Sequence, residues 1–212
     1  MDEQFWHRKW ASNEIGFHKS DVNPLLVTHF GALSLVQGSR LFLPLCGKTR
    51  DLHWLLAGGY RVCGVELSRI AIEQLFAELG VAPEIAAIGR MTRYSATGID
   101  IFVGDVFDLS RGDLGPVDAI YDRAALIALP APARDRYADH LMVITDRAPQ
   151  LLVTLDYDQS LIDGPPFSVD RAEIDRHYAG SYAVRQLASA EEPGGLKGKV
   201  PATETVWLLT RR

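Results

Sequence analysis

Apolar residues in this chain fall into two kinds of run: short unbroken blocks, and longer stretches in which they recur every three or four positions. Leu41–Leu45, Tyr60–Val65, Ile99–Val103, Val117–Tyr121 and Gln150–Tyr157 are blocks, each the length of a strand buried on both faces. Between them, Lys48–Ala57, Arg69–Leu79, Pro130–Asp146 and Asp170–Ala179 carry helical spacing, with Gly58-Gly59 and Gly80 as stops and Ser68 as an amino cap. Strand alternating with helix predicts an α/β fold, a mostly parallel sheet with helices on both faces. Tyr182–Leu187 and Thr203–Thr210 read as a last antiparallel pair, joined by the polar, glycine-rich and mobile EEPGGLKGKVPA. Glu84–Gly98 is a small excursion of two short strands. Ahead of the first block, Asp2–Ala11 predicts a short helix and Asn23–Leu35 a second, with Pro24 in its first turn.

The stretch RLFLPLCGKTRDLHWLLAGGYRVCGVELS, from Arg40 to Ser68, has the order strand, glycine turn, helix, strand, acid. A parallel pair requires a right-handed crossover, so the turn at Gly47 and the carboxylate of Glu66 share the carboxyl edge of the sheet. Glu66 follows Gly47 by 19 positions, the interval at which doubly wound folds place a ribose-binding acid. The turn has one glycine and no GxGxxG, which a pyrophosphate over a helix amino end ordinarily requires. A nucleoside without phosphates, such as S-adenosylmethionine, therefore suits it better than NAD. The alternative is a plain structural turn beside a surface acid.

Composition narrows the partners. The chain has 212 residues, 47% of them apolar, enough for one domain with a sizeable core. A net charge of −5, with acids and bases interspersed and no long basic block, argues against a nucleic-acid partner. The two cysteines, Cys46 and Cys63, stand outside any CxxC or Cys/His cluster, so neither a disulfide framework nor a metal site is expected. MDEQFWHRKW lacks a basic-then-apolar signal pattern and no apolar run approaches membrane-spanning length. These features predict a soluble, cytoplasmic, monomeric protein with no membrane partner.

Several residues carry competing readings. Trp6 and Trp10 would share one helix face, either stapling the arm to the body or covering a ligand, where an aromatic face attracts a sulfonium. Gly104-Asp105, after the third strand, is either a turn or a contact for an adenine amino group. Asp122-Arg123, after the fourth, is either a surface pair of little energetic consequence or a guanidinium poised for a ligand carboxylate or anionic acceptor. His18 and His29 are ordinary polar residues. Gly164-Pro165-Pro166-Phe167 is a stiff loop suited to form a substrate wall.

Taken together, FWHRKW, IGFH, LFLPLCGKTRDLHWLLAGGYRVCGVELS, GDVFDL, DAIYDRAALIALP with RYA following, LLVTLDYD and GPPFSV resemble the thiopurine S-methyltransferases, specifically their bacterial members. The segments occur in order over nearly the whole chain. The resemblance implies a Rossmann-like class I methyltransferase fold with a seven-stranded sheet whose last strand is antiparallel, spanning residues 1–212, with 1–35 as an arm and helices covering the site. It implies S-adenosylmethionine as methyl donor. Matched position by position, the donor-binding residues are Trp10, Leu45, Glu66 and Arg123, with Asp105 and Val106 along the adenine. Phe17 matches the acceptor side, where Arg123 and Phe167 would also contribute. EEPGGLKGKVPA departs from the animal enzymes' loop, where an arginine helps form the acceptor pocket.

The implied chemistry is in-line attack on the sulfonium methyl by a thiolate of a thiopurine or similar aromatic or heterocyclic thiol, or by a selenium or tellurium species. Charge is annihilated, so a dry site lined by Trp10, Phe17 and Phe167 favours it, and proximity replaces a strong base. No catalytic base is assigned. A thiol, halide or thiocyanate methyltransferase, a non-catalytic nucleotide sensor and an NAD-dependent oxidoreductase are the competing functions.

Overall fold

A computed structural model describes residues 3–212. Nine strands form one sheet in the order β3-β4-β5-β2-β1-β6-β7-β9-β8. The central strands are β1 (Arg40–Pro44), β2 (Arg61–Glu66), β5 (Ile99–Val103), β6 (Ala119–Arg123) and β7 (Gln150–Tyr157), all parallel. β9 (Ala202–Arg211) runs antiparallel to both β7 and β8 (Tyr182–Glu191).

The unbroken apolar runs have a direct structural cause. Leu41 and Leu43 of β1 pack with Val62, Tyr121 and Leu151 on one face, whereas Phe42 packs with Cys63, Ile120 and Leu152 on the other. Side chains alternate in direction, and both directions meet a helical layer. The first face is covered by α2 (Pro24–His29), α3 (Arg50–Ala57) and α4 (Arg69–Leu79), through residues such as Leu26, Leu52, Leu55, Ile72 and Leu75. The second is covered by α5 (Arg111–Leu114), α6 (Ala131–Ile144) and α7 (Arg171–Tyr178), through Leu114, Tyr137, Leu141, Ile174 and Tyr178. Among the described residues no helix is long and apolar enough to cross a membrane.

Two expectations need correction. The sheet has nine strands, because the excursion folds as β3 (Glu84–Ile88) and β4 (Met91–Ala96) and β4 pairs antiparallel with β5. Met91 and Tyr94 are buried, anchoring a hairpin that pairs the otherwise open edge of β5. The helix expected over Asn23–Leu35 stops being α-helical at His29 and continues as a 3-10 turn over Phe30–Leu33, ending at a left-handed Ser34. Thr28 and Gly31 are poor helix formers, and the buried Phe30 and Leu33 set the path instead. The first helix, α1, is described over Glu3–Ala11; Asp2, where it was expected to start, lies outside the described residues. The 191–202 connection includes a turn closed by a Leu196–Val200 bridge, with Lys197 Nζ donating to the Pro165 carbonyl at 3.3 Å.

Candidate functional site

The carboxyl edge of the parallel strands collects most of the residues singled out above. β1 leaves the sheet through Leu45, whose φ of 46° is left-handed, and Gly47, whose φ is 52°. This reverses the chain into the amino end of α3, where Thr49 caps the Asp51 amide. Next door, Glu66 ends β2. Its Oε2 accepts from the Gly47 N–H at 2.8 Å and its Oε1 from the Ser68 N–H at 2.8 Å. Burial pushes its pKa up, and the hydrogen bonds from Ser68 and Gly47 oppose that shift by favouring the charged form. The Leu67 N–H also acts on this carboxylate, and since a carboxylate has about four acceptor positions it retains capacity for a further donor.

The arm closes over this turn. Trp10 is only 4% exposed, and a Cβ at position 47 would sit 3.2 Å from its ring. Glycine is therefore favoured at 47 by the left-handed backbone, and any side chain there would also press on the indole. Trp10 also meets Phe17 edge to face at 5.6 Å between centroids, and Trp6 meets the same Phe17 at 5.6 Å. The arm is thus anchored by an aromatic cluster, yet Phe17 remains 39% exposed, which leaves apolar surface for an acceptor beside the turn.

Arg123, the last residue of β6, is 17% exposed at its side chain and lies 3.7 Å from Asp51 Oδ2. That is an ion pair beyond hydrogen-bond reach, and the guanidinium makes no hydrogen bond among the described residues. Asp51 is itself buried, accepting from the Asn23 N–H at 2.7 Å and the Tyr121 hydroxyl at 3.1 Å. Desolvation, followed by the Asp51 charge, holds the Tyr121 phenol well above its usual range. His18 lies near Lys48, Arg50, Arg123 and Glu78; burial first, then Lys48, lowers its pKa, so it is neutral near pH 7.

Asp105 adjoins Glu66 through the pairing of β5 with β2, the Gly104 N–H donating to the Glu66 carbonyl at 3.0 Å. Its own side chain caps the following 3-10 turn, accepting from the Phe107 N–H at 3.1 Å. The Val106 side chain is fully buried in the core, and its carbonyl is paired with His140 Nε2 at 2.8 Å, so only its remaining backbone faces can serve a ligand. Phe167 stands apart. Its N–H donates to the Ile127 carbonyl at 2.6 Å and its ring faces the Arg134 guanidinium at 5.8 Å. No ring contact joins it to Trp10 or Phe17 among the described residues. Asp51, Tyr121 and Asn23 escaped the sequence reading. Only the acid in the first turn of α3 gave a local signal; its partners lie 28 and 70 positions away.

The arrangement fits a nucleoside carrying an amino-acid tail. Glu66 offers acceptor capacity for a ligand hydroxyl, Arg123 offers unpaired donors for a carboxylate, and an indole covers the turn between them.

The thiopurine S-methyltransferase family model matches residues 1–212. The chain is 56% identical over 212 residues to a thiopurine S-methyltransferase of Xanthobacter autotrophicus, covering 100% of both. It is 50% identical over 211 residues to that of Teredinibacter turnerae, covering 100% of this chain and 98% of the relative. Among solved structures, magnesium protoporphyrin IX methyltransferase from Synechocystis, with bound SAH, matches with a TM-score of 0.66 at 13% identity, covering 99% of this chain and 100% of that one.

Proposed function

This chain belongs to the thiopurine S-methyltransferase family and is an S-adenosylmethionine-dependent methyltransferase, and from that premise we propose that its acceptors are thiopurines and similar aromatic or heterocyclic thiols. Selenium and tellurium anions, equally soft nucleophiles, belong to the same proposed acceptor class. The observation that carries the donor site is the junction of Gly47, Glu66 and Trp10, an acid with remaining acceptor capacity beside a turn roofed by an indole.

The donor supplies a methyl group on a sulfonium, open to in-line displacement. Glu66 would hold the ribose hydroxyls and Arg123 the donor carboxylate, while Asp105 and the Val106 backbone would run along the adenine. The Leu45 turn would present its backbone to the donor. Trp10 and Phe17 keep water from the site, which favours a reaction that annihilates charge. Arg123 can additionally steer an anionic acceptor. Phe167 we assign to the far acceptor wall, carried there by the loop that Lys197 and Arg134 hold. Residues 1–35 act as the cover of one methyltransferase domain. None of these residues is asked to act as a base, since aromatic thiols ionise near neutral pH.

The test is a thermal-shift screen with S-adenosylmethionine, S-adenosylhomocysteine and NAD, followed by methyl transfer to a thiopurine. Stabilisation by the first two alone, with turnover, is expected. Donor binding with transfer only to halide or thiocyanate would overturn the acceptor assignment, and binding without turnover on any of these would indicate a sensor.

A further inference from the structure

We propose that Asp51 is a positioning residue for donor binding, its buried carboxylate holding the Arg123 guanidinium where it meets the donor's carboxylate. The inference rests on the reading of Arg123 as the group that holds that carboxylate.

Asp51 lies in the first turn of α3, 1% exposed, beneath the end of β6. Tyr121 and Arg123 are two apart on β6 and so face the same side, where Asp51 Oδ2 receives the Tyr121 hydroxyl at 3.1 Å and the Arg123 charge at 3.7 Å. Oδ1 receives the Asn23 N–H at 2.7 Å. A carboxylate fixed at both oxygens cannot follow the guanidinium; the guanidinium must orient to it. At this separation the attraction steers Arg123 without consuming its donors, so the fork remains available to a ligand. Burying an acid this completely is costly unless it is paired, and here two donors, the Asn23 N–H and the Tyr121 hydroxyl, and one cation, Arg123, pair it. Arg123 is the cation paired with that charge among the described residues. Glu204 on β9 is another carboxylate within the influence of the Arg123 charge, after that of its neighbour Glu192. Without the Asp51 charge, the guanidinium would turn toward Glu204.

Asp51→Asn keeps a carbonyl oxygen for the Asn23 N–H while removing the charge and the acceptor of the Tyr121 hydroxyl, so the comparison of two ligands, rather than either loss alone, carries the test. The readout is calorimetric affinity for S-adenosylhomocysteine against 5′-methylthioadenosine, which shares the nucleoside and lacks the amino-acid tail. Asp51→Asn should raise the dissociation constant for S-adenosylhomocysteine about tenfold, ~1.4 kcal/mol, and leave that for methylthioadenosine within about twofold. Combined with Arg123→Ala it should add little to the loss from Arg123→Ala alone. Equal losses for both ligands, full additivity with Arg123→Ala, or unchanged affinity for S-adenosylhomocysteine would each overturn the proposal. An Arg123→Ala protein that binds S-adenosylhomocysteine normally would instead refute the role of Arg123 itself. If Asp51→Asn does not fold, Asp51→Glu carries the same test through the ratio of the two losses: a ratio well above one supports the proposal and a ratio of one overturns it.

Discussion

At the scale of single residues, Asp122 and Arg123 show how neighbours on one strand divide their work. Arg123 faces Asp51, whereas Asp122 is fully buried, accepting from the Tyr137 hydroxyl at 2.7 Å and the Leu126 N–H at 3.1 Å. Burial pushes the Asp122 carboxyl from 3.8 up to about 6, against the pull of those hydrogen bonds. The folded state therefore binds this proton more tightly than the unfolded chain. Its contribution to stability is fully present below about pH 4 and is lost as pH rises through about 6, a change on the order of 3 kcal/mol. Asp122→Asn, measured by urea denaturation, should gain stability relative to the parent by that order between pH 4 and 7. A difference that stays flat over the window would show that Asp122 is ionised throughout. The Asp-Arg pair was visible in the chain, but which member faces the ligand depends on strand register, and the surface-pair alternative fails because Asp122 bonds Tyr137 rather than Arg123.

Elements position these residues, and two of them do so through contacts that no local pattern reveals. α6 and α7 are joined by Arg134, whose Nε and Nη2 donate to Glu173 at 2.6 and 3.0 Å and whose Nη1 donates to the Leu129 carbonyl at 2.8 Å. The same guanidinium faces Phe167, so the pair also supports the loop proposed as the acceptor wall. Glu173→Gln should cost about 3 kcal/mol in chemical denaturation, since it strands a buried guanidinium, and should raise the acceptor KM while sparing the donor's. A loss below about 0.5 kcal/mol would mean that the remaining bonds suffice. α1 is the second case. Its tryptophans were legible as a cluster awaiting a partner, and the partner is Phe17, in the loop that follows. If the arm is a ligand cover, amide exchange over residues 3–20 should slow on adding S-adenosylhomocysteine, and Trp10→Ala should raise the donor KM. Equal protection with and without ligand would leave the arm a staple.

For the molecule as a whole, the alternation of strand and helix was legible because every central strand is sandwiched, which writes its length into the sequence as an apolar block. What stayed hidden lay at the margins. The two short strands of the excursion were legible, but not their place in the sheet: β3 is largely exposed although Ile85, Ala86, Ala87 and Ile88 are apolar, and only the backbone pairing of β4 with β5 joins the hairpin to the sheet. Asp51 was hidden for the opposite reason: its partners are brought to it only when α3 packs beneath β6. Glu66, Trp10 and Arg123 were legible as candidates since each ends or covers an element at the carboxyl edge, where a parallel sheet exposes its turns to ligands. The central claim is that this edge binds S-adenosylmethionine with Glu66 on the ribose. Calorimetric titration of S-adenosylhomocysteine into the parent and Glu66→Ala proteins tests it most directly. Loss of a charged hydrogen-bonding group from the ribose should weaken binding by about 2–3 kcal/mol in a variant that remains folded, and an unchanged dissociation constant in a folded Glu66→Ala protein would contradict the account.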